Sequence, residues 1–369
     1  MKEIRKIIAT YDAANHEKER LALASVVNVE ESSYRRIGAR MLVSSNGTWV
    51  GGISGGCLEG DALKRSNIAI FKNQSSRVVY DTMEDDQNQI GVGLGCNGRL
   101  EVLFTPIDPT DENNPIEQLR KIVQLDQPSI LLKVIEAKEA PALLGTNQLV
   151  SEDLSNLNFC DLDVNILDEA IQETRFKRRP QIVTPKNTKG QTLKVLVEYI
   201  RPETKLVIVG DNYDVLSLVG IANEMGWEIH LVGRKKKMSK VLYAKAKAVY
   251  EYEECDNVPI DEFTAIILMS HDYNWDKTLL PKFLAQKPSY IGMLGPRKRT
   301  VKMQEELGIT LLNQVDFFHS PVGLDIGAES PEEIALSIAS EIVATFRGRN
   351  GTALRLREGP IHERYLQIS

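Results

Sequence analysis

The chain has 369 residues, of which 42% are hydrophobic and 26% are charged, and its formal net charge is −6. These values indicate a soluble globular protein with sizeable cores, and the length suits two domains. The acidic balance disfavours nucleic acid as a partner, because proteins that bind it usually carry a basic face. No apolar run resembles a signal peptide or reaches the ~18 residues of a membrane-spanning helix, so we expect no membrane segment.

The cysteines are far apart in the sequence, at Cys57, Cys96, Cys160 and Cys255. They form no C-x-x-C pair, which argues against a zinc ribbon and against a disulfide framework. We therefore expect a cytoplasmic protein, since thiols stay reduced in that compartment.

The first 200 residues predict an N-terminal α+β domain with linking strands. Ile4, Ile7, Ile8 and Tyr11 recur at helical spacing and predict a first helix. The pair Asn46-Gly47 predicts a hairpin turn in which both residues have positive φ angles. Further helices are predicted over 58–72 and 111–125, and strands over 21–29, 77–83, 99–107, 129–137 and 193–200. A boundary is predicted at Arg201–Thr204.

Residues 201–369 predict a second domain, because short apolar strands alternate strictly with helices from Lys205 onward. Such alternation is typical of a Rossmann-like, doubly wound parallel sheet. The last helix has a capping box, with Ser330 as the N-cap, Pro331 in the first turn and Glu333 as the reciprocal partner.

The first strand–helix turn of this domain lies where a dinucleotide fold binds pyrophosphate through G-x-G-x-x-G. Only Gly210 of that fingerprint is present, and Asp211 and Asp214 would repel phosphate. The next strand ends at Gly233 instead of at the acidic residue that grips the ribose. The basic run 234–237 that follows is either a 2′-phosphate site or a solvated helix start. A degraded nucleotide site and a purely structural α/β layer both remain open.

Two further loops lie at the same edge of the predicted sheet, where open α/β sheets hold their ligands, and a third candidate loop precedes the last helix. His271 and Asp272 are placed to touch a ligand, or they form a polar loop with a helix cap. Arg297 and Arg299, after Gly295, favour a phosphate at a helix start, or they belong to a charged helix face. Asp325 and Gly327 precede the capped helix in a loop that is a weak candidate by itself.

The stretch GGISGGCLEGD, residues 51–61, surrounds a cysteine with glycines. It lacks the Lys-Ser/Thr of a P-loop, but its glycines form a backbone nest that suits an anion. A helix that begins near Cys57 would favour a thiolate there. The cluster GVGLGCNGR repeats the pattern at Cys96. The alternative is that both cysteines are small buried side chains.

Seven stretches together are similar, in order and spacing, to one known family: RIGARMLV, GGISGGCLEGD, GLGCNGRLEVL, LVIVGDNYDV, MSHDYNWD, YIGMLGPRKR and PVGLDIGAESPEEIALSIASEI. On these motifs the chain resembles the xanthine dehydrogenase accessory family of the XdhC/CoxI type. The resemblance covers nearly the whole chain, and the G-x-S-G-G-C and P-x-G-L-D-I-G-A-E motifs are specific.

This resemblance implies a maturation factor for a molybdenum hydroxylase, which binds the molybdenum cofactor (molybdopterin) and aids its sulfuration and insertion into the apo-enzyme. A cysteine desulfurase supplies the sulfur, and the family is commonly homodimeric. Such a protein is a cofactor-insertion chaperone rather than a catalyst. On this basis the residues expected to contact the cofactor are Ser54, Gly55, Gly56, Cys57, Cys96, Gly210, His271, Asp272, Gly295, Arg297, Arg299, Asp325 and Gly327. Cys57 and Cys96 are also the candidate ligands of its molybdenum.

The sequence departs from the family pattern at a few positions. Asp211, Asn212 and Tyr213 replace the last three residues of a G-A-G-H turn, Gly233 replaces an acidic residue, and Tyr34 stands where proline is common. These changes weigh against NAD(P) binding more than against the accessory role. The alternative functions are an NAD(P)-dependent oxidoreductase that uses the Rossmann-like domain, and a scaffold that binds only partner proteins.

Overall fold

The computed structural model describes residues 1–31, 33–81, 98–310, 315–359 and 361. The predicted site residue Cys96 lies outside this part of the chain. The chain folds into two compact units, Met1–Pro202 and Glu203–Arg357. Within the described residues, no helix is long and apolar enough to cross a membrane.

The first unit begins with an antiparallel five-stranded sheet and two helices. Its elements are α1 Lys2–Ala13, β1 Leu21–Glu31, β2 Arg40–Ser44, β3 Trp49–Gly51, α2 Glu59–Lys72, β4 Ser76–Asp81 and β5 Gly98–Ile107. The strand order is β3-β2-β1-β5-β4. As the helical spacing predicts, α1 buries Ile4, Ile7, Ile8 and Tyr11 against the sheet. Helix α2 packs through Ala62 and Ala69 into a separate cluster.

The turn between β2 and β3 differs from the prediction. Gly47 has a positive φ of 88°, but Asn46 does not. The amide of Gly47 donates to the carbonyl of Ser44 at 2.9 Å, and the Asn46 side chain accepts from the amide of Thr48 at 2.9 Å. A turn of this kind needs only one left-handed residue, which is the glycine, while the asparagine closes the loop through its side chain.

A second, four-stranded sheet completes the first unit, in the order β7-β6-β9-β8. Its elements are α3 Pro115–Val123, β6 Ser129–Glu136, β7 Asn147–Val150, α4 Val164–Lys177, β8 Gln181–Val183 and β9 Lys194–Ile200. The sequence did not predict β7, β8 or α4. Both strands are short, and α4 leaves Val164, Ile166 and Phe176 exposed, which blurs the apolar stripe that marks a helix.

The second unit is a six-stranded parallel sheet, which confirms the predicted Rossmann-like domain. The strands are β10 Lys205–Val209, β11 Glu228–Val232, β12 Ala248–Tyr250, β13 Thr264–Leu268, β14 Tyr290–Met293 and β15 Phe318–His319. The helices are α5 Val215–Met225, α6 Lys240–Lys245, α7 Tyr273–Ala285, α8 Arg297–Leu307 and α9 Pro331–Phe346. The order β12-β11-β10-β13-β14-β15 reverses direction between β10 and β13, so the switch point lies between them. The capping box of Ser330 and Glu333 is present at the start of α9.

The two sheets of the first unit share a buried polar cluster. The Arg40 guanidinium on β2 donates to both carboxylate oxygens of Glu198 on β9 at 2.7 Å. Lys133 on β6 is buried beside them and donates to the Ser25 hydroxyl on β1 at 3.3 Å. Burial, with a smaller contribution from the Arg40 charge, lowers the pKa of Lys133 to about 8, although Glu198 opposes the shift. Charged groups therefore join strands that are far apart in the sequence.

The pKa of Lys133 predicts that this cluster makes the protein more stable as the pH rises. The ordinary value is 10.5, so between about pH 8 and 10.5 the unfolded chain binds a proton at Lys133 that the folded chain has lost. The free energy of unfolding should rise across this window by up to about 3 kcal/mol. Lys133→Met should remove that rise, whereas Lys64→Met at an exposed position should keep it. Urea unfolding at pH 7.5 and 10 measures the effect, and equal pH responses for K133M and the wild type would contradict it.

Candidate functional site

The glycine-rich loop before α2 is organised by its own acidic side chain. The carboxylate of Glu59 accepts from the amides of Ile53 at 3.2 Å and Ser54 at 2.8 Å, and also from the Ser54 hydroxyl. The Ser54 oxygen in turn accepts from the amides of Cys57 at 3.1 Å and Leu58 at 3.0 Å. Four amides of the predicted anion nest are thus already satisfied within the loop. The anion that the structure places there is a carboxylate of the chain.

The loop presents Cys57 to solvent. Helix α2 begins at Glu59, and Cys57 is an exposed free thiol just before it. Gly56 has a φ of 108°, and a Cβ added there would meet nothing within 4 Å, so this side of the loop is open. A Cβ on Gly55 would lie 3.3 Å from the ring of Tyr34, so that ring covers the other glycine. Cys57 is therefore not the small buried side chain of the alternative interpretation.

The other described cysteines have different surroundings. Cys160 is half-buried, and burial raises the pKa of its thiol to about 11. Cys255 is buried, and its pKa is also raised, chiefly by burial. Because the thiolate is the reactive and metal-binding form, both are poor nucleophiles and poor ligands at neutral pH. Among the cysteines of the described ranges, only Cys57 is exposed.

At the carboxyl edge of the parallel sheet, the turn after β10 is closed by an ion pair. The Asp211 carboxylate accepts from Arg234 three times, from the backbone amide at 3.0 Å, from Nε at 2.6 Å and from Nη2 at 2.9 Å. Although burial raises the pKa of Asp211, these hydrogen bonds hold it below its ordinary value. Gly210 is required for close backbone packing and not for phosphate binding, because a Cβ at this position would lie 2.7 Å from the carbonyl oxygen of Met269.

The loop after β13 places a histidine at the switch point. His271 has a left-handed φ of 57°, its side chain is 53% exposed, and its Nε2 lies 2.7 Å from Oδ2 of Asp214. Left-handed backbone at a non-glycine residue is uncommon and is often found at functional sites. Asp272, in contrast, caps α7 by accepting from the amides of Asn274 at 3.0 Å and Trp275 at 3.3 Å.

The two predicted arginines of α8 have different surroundings. Nη2 of Arg299 donates at 2.7 Å to Asp276, whose side chain is 0% exposed. Burial raises the pKa of Asp276, and hydrogen bonding with Ser270 and the Arg299 charge oppose the shift. Arg297 is exposed at the first turn of α8, where Pro296 supplies no side-chain cap. Gly295 has a φ of 122° and allows the chain to turn into this helix.

The loop that holds Asp325 and Gly327 is fixed at its base. The Glu341 carboxylate on α9 accepts from the amide of Gly323 at 2.8 Å and from the hydroxyl of Tyr290. Although burial raises the pKa of Glu341, hydrogen bonds from His319 and Tyr290 hold it below its ordinary value. Asp325 and Gly327 themselves are exposed beyond this anchor.

The structure thus groups the predicted residues into separate sets. Ser54, Gly55, Gly56 and Cys57 form one loop of the first unit, and the others follow strands of the second unit. No group of three or more His, Cys, Asp or Glu side chains suited to a metal ion occurs in the described part of either unit. Sequence reasoning missed the internal acceptors Glu59, Asp211, Asp276 and Glu341. For Asp211 a signal existed, because Asp211 and Arg234 each follow the end of a neighbouring strand.

Comparison with known proteins agrees with this architecture. A family model described as XdhC and CoxI family matches residues 14–81, and one described as XdhC Rossmann domain matches residues 206–342. A crystal structure described as a xanthine dehydrogenase from Bacillus halodurans has a TM-score of 0.73, with 23% identity over 94% of this chain and 97% of that chain. That likeness supports the fold of two units, the second of them Rossmann-like.

Two curated relatives are similar over most of their length. A protein of Bacillus subtilis strain 168 that is named as a probable xanthine dehydrogenase subunit is 28% identical over 338 residues, which are 90% of this chain and 96% of that protein. The molybdenum cofactor insertion chaperone PaoD of Escherichia coli K12 is 23% identical over 326 residues, 87% of this chain and 82% of that protein. With the two family models, these matches confirm the predicted resemblance. The chain belongs to the XdhC/CoxI family.

The role of Glu59 in the loop can be tested through pH. Its pKa lies below the ordinary 4.5, because hydrogen bonds from Ser54 and nearby amides outweigh burial, which raises it. The stability that Glu59 contributes is therefore complete above about pH 4.5 and is lost as the pH falls through the lowered pKa. Glu59→Gln should lower the free energy of unfolding at pH 7 by about 1–3 kcal/mol.

At pH 3 that difference should shrink toward zero, as measured by urea unfolding at both pH values. Glu112→Gln, at an exposed position, is the matched control and should have no effect at either pH. An E59Q variant as stable as the wild type at pH 7 would show that the loop does not need this carboxylate.

Proposed function

We propose that this chain is a maturation factor for a molybdenum hydroxylase of the xanthine dehydrogenase type. It holds the molybdenum cofactor as cargo and delivers it to the apo-enzyme. Membership of the XdhC/CoxI family and the relative named a molybdenum cofactor insertion chaperone support this role. The observation that carries the proposal is the exposed Cys57 thiol on a loop that the chain holds rigid with its own hydrogen bonds.

The Cys57 loop fits the soft end of such a cargo. A thiolate suits a molybdenum or sulfur centre. Because Glu59 and Ser54 already fix the loop, little further ordering is required when the cargo binds, which favours affinity. Among the amides of this loop, those of Gly55 and Gly56 take no part in the hydrogen bonds described above. In the proposal they and Cys57 contact the cofactor, together with Cys96.

The second unit, considered by itself, offers groups that suit an anion such as a phosphate. Arg297 is exposed at the start of α8, where the N-cap residue Pro296 supplies no side-chain acceptor, a combination that favours anions. Arg299 has a fixed direction because Asp276 binds it. His271 is exposed with its Nε2 held by Asp214, which leaves Nδ1 to face a ligand. At this edge Asp272 caps α7, and Gly210 allows the chain to pass close to the carbonyl of Met269. The loop that holds Asp325 and Gly327 is anchored nearby by Glu341.

Within this proposal a cysteine desulfurase supplies sulfur for the bound cofactor, and the factor works as a homodimer in the cytoplasm, as the family resemblance implies. The rival function, an NAD(P)-dependent oxidoreductase, is disfavoured by the Asp211–Arg234 ion pair in the dinucleotide turn.

Cofactor capture tests the proposal. The protein is incubated with released molybdenum cofactor and desalted, and bound molybdenum and pterin are measured. The wild type should retain both in equal amounts. Cys57→Ala should bind at least ~10-fold more weakly, because it loses the soft ligand. Cys160→Ala, which removes a half-buried thiol, should bind as the wild type does.

Cys96→Ala is measured in parallel, with a loss of binding expected, and light scattering on the loaded protein should give the mass of a dimer. No retention of molybdenum or pterin by the wild type would overturn the proposed function. Full retention by C57A would contradict the role of Cys57, on which the proposed site in the first unit depends.

A further inference from the structure

In the second unit, the acidic residue that a dinucleotide fold carries at the end of its second strand is absent, and an acid stands instead in the turn after the first strand, directly after Gly210. That fold has glycine in the turn after its first strand and an acid at the end of the next strand. Here the acid is Asp211, in the turn after β10, and the glycine is Gly233, at the end of β11. The two positions are neighbours in space, because Val209 pairs with Val232 and the amide of Gly210 donates to the carbonyl of Val232 at 2.9 Å.

The Asp211 carboxylate makes the contacts that an anionic ligand would make. It accepts hydrogen bonds from the backbone amide of Arg234 at 3.0 Å, from Nε at 2.6 Å and from Nη2 at 2.9 Å. An amide combined with a guanidinium fork is a strong arrangement for binding a phosphate or carboxylate. The Asp211 side chain is 0% exposed and that of Arg234 is 42% exposed. The guanidinium of Arg234 therefore reaches solvent, but the place where it would bind an external anion is occupied by the Asp211 carboxylate.

The two positions are close together. A Cβ added to Gly233 would lie 3.2 Å from Cβ of Asp211 and 2.9 Å from Cε of Met238. A side chain at position 233 would therefore be crowded by the residue at position 211, and the end of Met238 would have to move. The neighbouring basic side chain is neutralised as well, because Lys235 Nζ lies 2.6 Å from Glu254 Oε2. Two residues of the basic run that the sequence suggests as a 2′-phosphate site, Arg234 and Lys235, are thus paired with acids of the chain itself.

We propose that Asp211 is a built-in anion that occupies the nucleotide position at the end of β11, so that the second unit rejects NAD(P) until this carboxylate is removed. Asp211 is thereby a specificity-determining residue, and any ligand of this sheet edge binds on the β13–β14 side of the switch point. This inference goes beyond the proposed function and does not depend on it, because it concerns only which ligands the edge refuses.

The test is a titration with 2′,5′-ADP by calorimetry and with NADPH by fluorescence. The wild type should show no saturable binding of either up to millimolar concentration. Asp211→Ala frees the amide and the fork of Arg234 and should bind 2′,5′-ADP at least ~10-fold more tightly than the wild type, the factor expected for one charge-assisted hydrogen bond. Asp211→Asn keeps the size of the side chain but not its charge, and should also gain affinity, by less than D211A.

Glu253→Gln, at an exposed position nearby, is the matched control, because it changes the net charge by the same amount and leaves the Glu254–Lys235 pair intact. It should leave the affinity at the wild-type level. Circular dichroism establishes that each variant is folded, and D211N carries the test if D211A is not. Saturable NADPH or 2′,5′-ADP binding by the wild type overturns the proposal, as does an equal gain in E253Q. Folded Asp211 variants that still bind neither ligand overturn it as well.

Discussion

In both units, carboxylates of the chain itself accept hydrogen bonds from the amides and guanidinium groups of the candidate loops. The shape of each candidate site depends on these hydrogen bonds. A buried amide or guanidinium without an acceptor is costly, so each must find one within the fold. Glu59 satisfies the glycine loop before α2, and Asp211 satisfies Arg234 after β11. Asp276, fully buried, does the same for Arg299. Each of these acids fixes a loop in one conformation before any ligand arrives.

This internal pairing also decides which groups face outward. Once Glu59 and Ser54 have bound four amides of their loop, the thiol of Cys57 is the exposed reactive group that it presents. In the second unit Arg234 and Arg299 are paired with buried acids, whereas Arg297 is exposed and His271, which contacts Asp214, is 53% exposed. Most amides of the glycine-rich loop before α2 are therefore used to hold its conformation, although the sequence of the loop resembles an anion site.

Much of the fold could be predicted from the sequence because its signals are local. The buried strands and helices of the second unit alternate without interruption, and the apolar stripe of α1 is regular. The hydrophobic period and the length of each segment were therefore sufficient to predict these elements. The short strands β7 and β8 carry too few residues for a pattern. The turn at Asn46-Gly47 was predicted with two left-handed residues, since the sequence does not show that the Asn46 side chain closes the loop instead.

The candidate site of the second unit was harder to predict, because its decisive contacts are not local. The sequence supplied the donors, namely the glycine loops and the basic runs, and assigned them to an external anion. The acceptors lie at a distance, as with Arg299, which lies 23 residues after Asp276, and Arg40, which lies 158 residues before Glu198. A rule that asks first for an acidic residue at the end of a neighbouring strand would have found Asp211.

The central claim, that the Cys57 thiol contacts the cofactor, is tested most directly by thiol protection. Free and cofactor-loaded protein are alkylated with isotope-coded iodoacetamide, and the rate at each cysteine is read by mass spectrometry. In the free protein Cys57 should react faster than Cys160 or Cys255, because it is exposed and they are not. On loading, the rate at Cys57 should fall at least ~10-fold, as expected for a thiol held in a bound state. An unchanged Cys57 rate in protein that retains molybdenum and pterin would contradict the account.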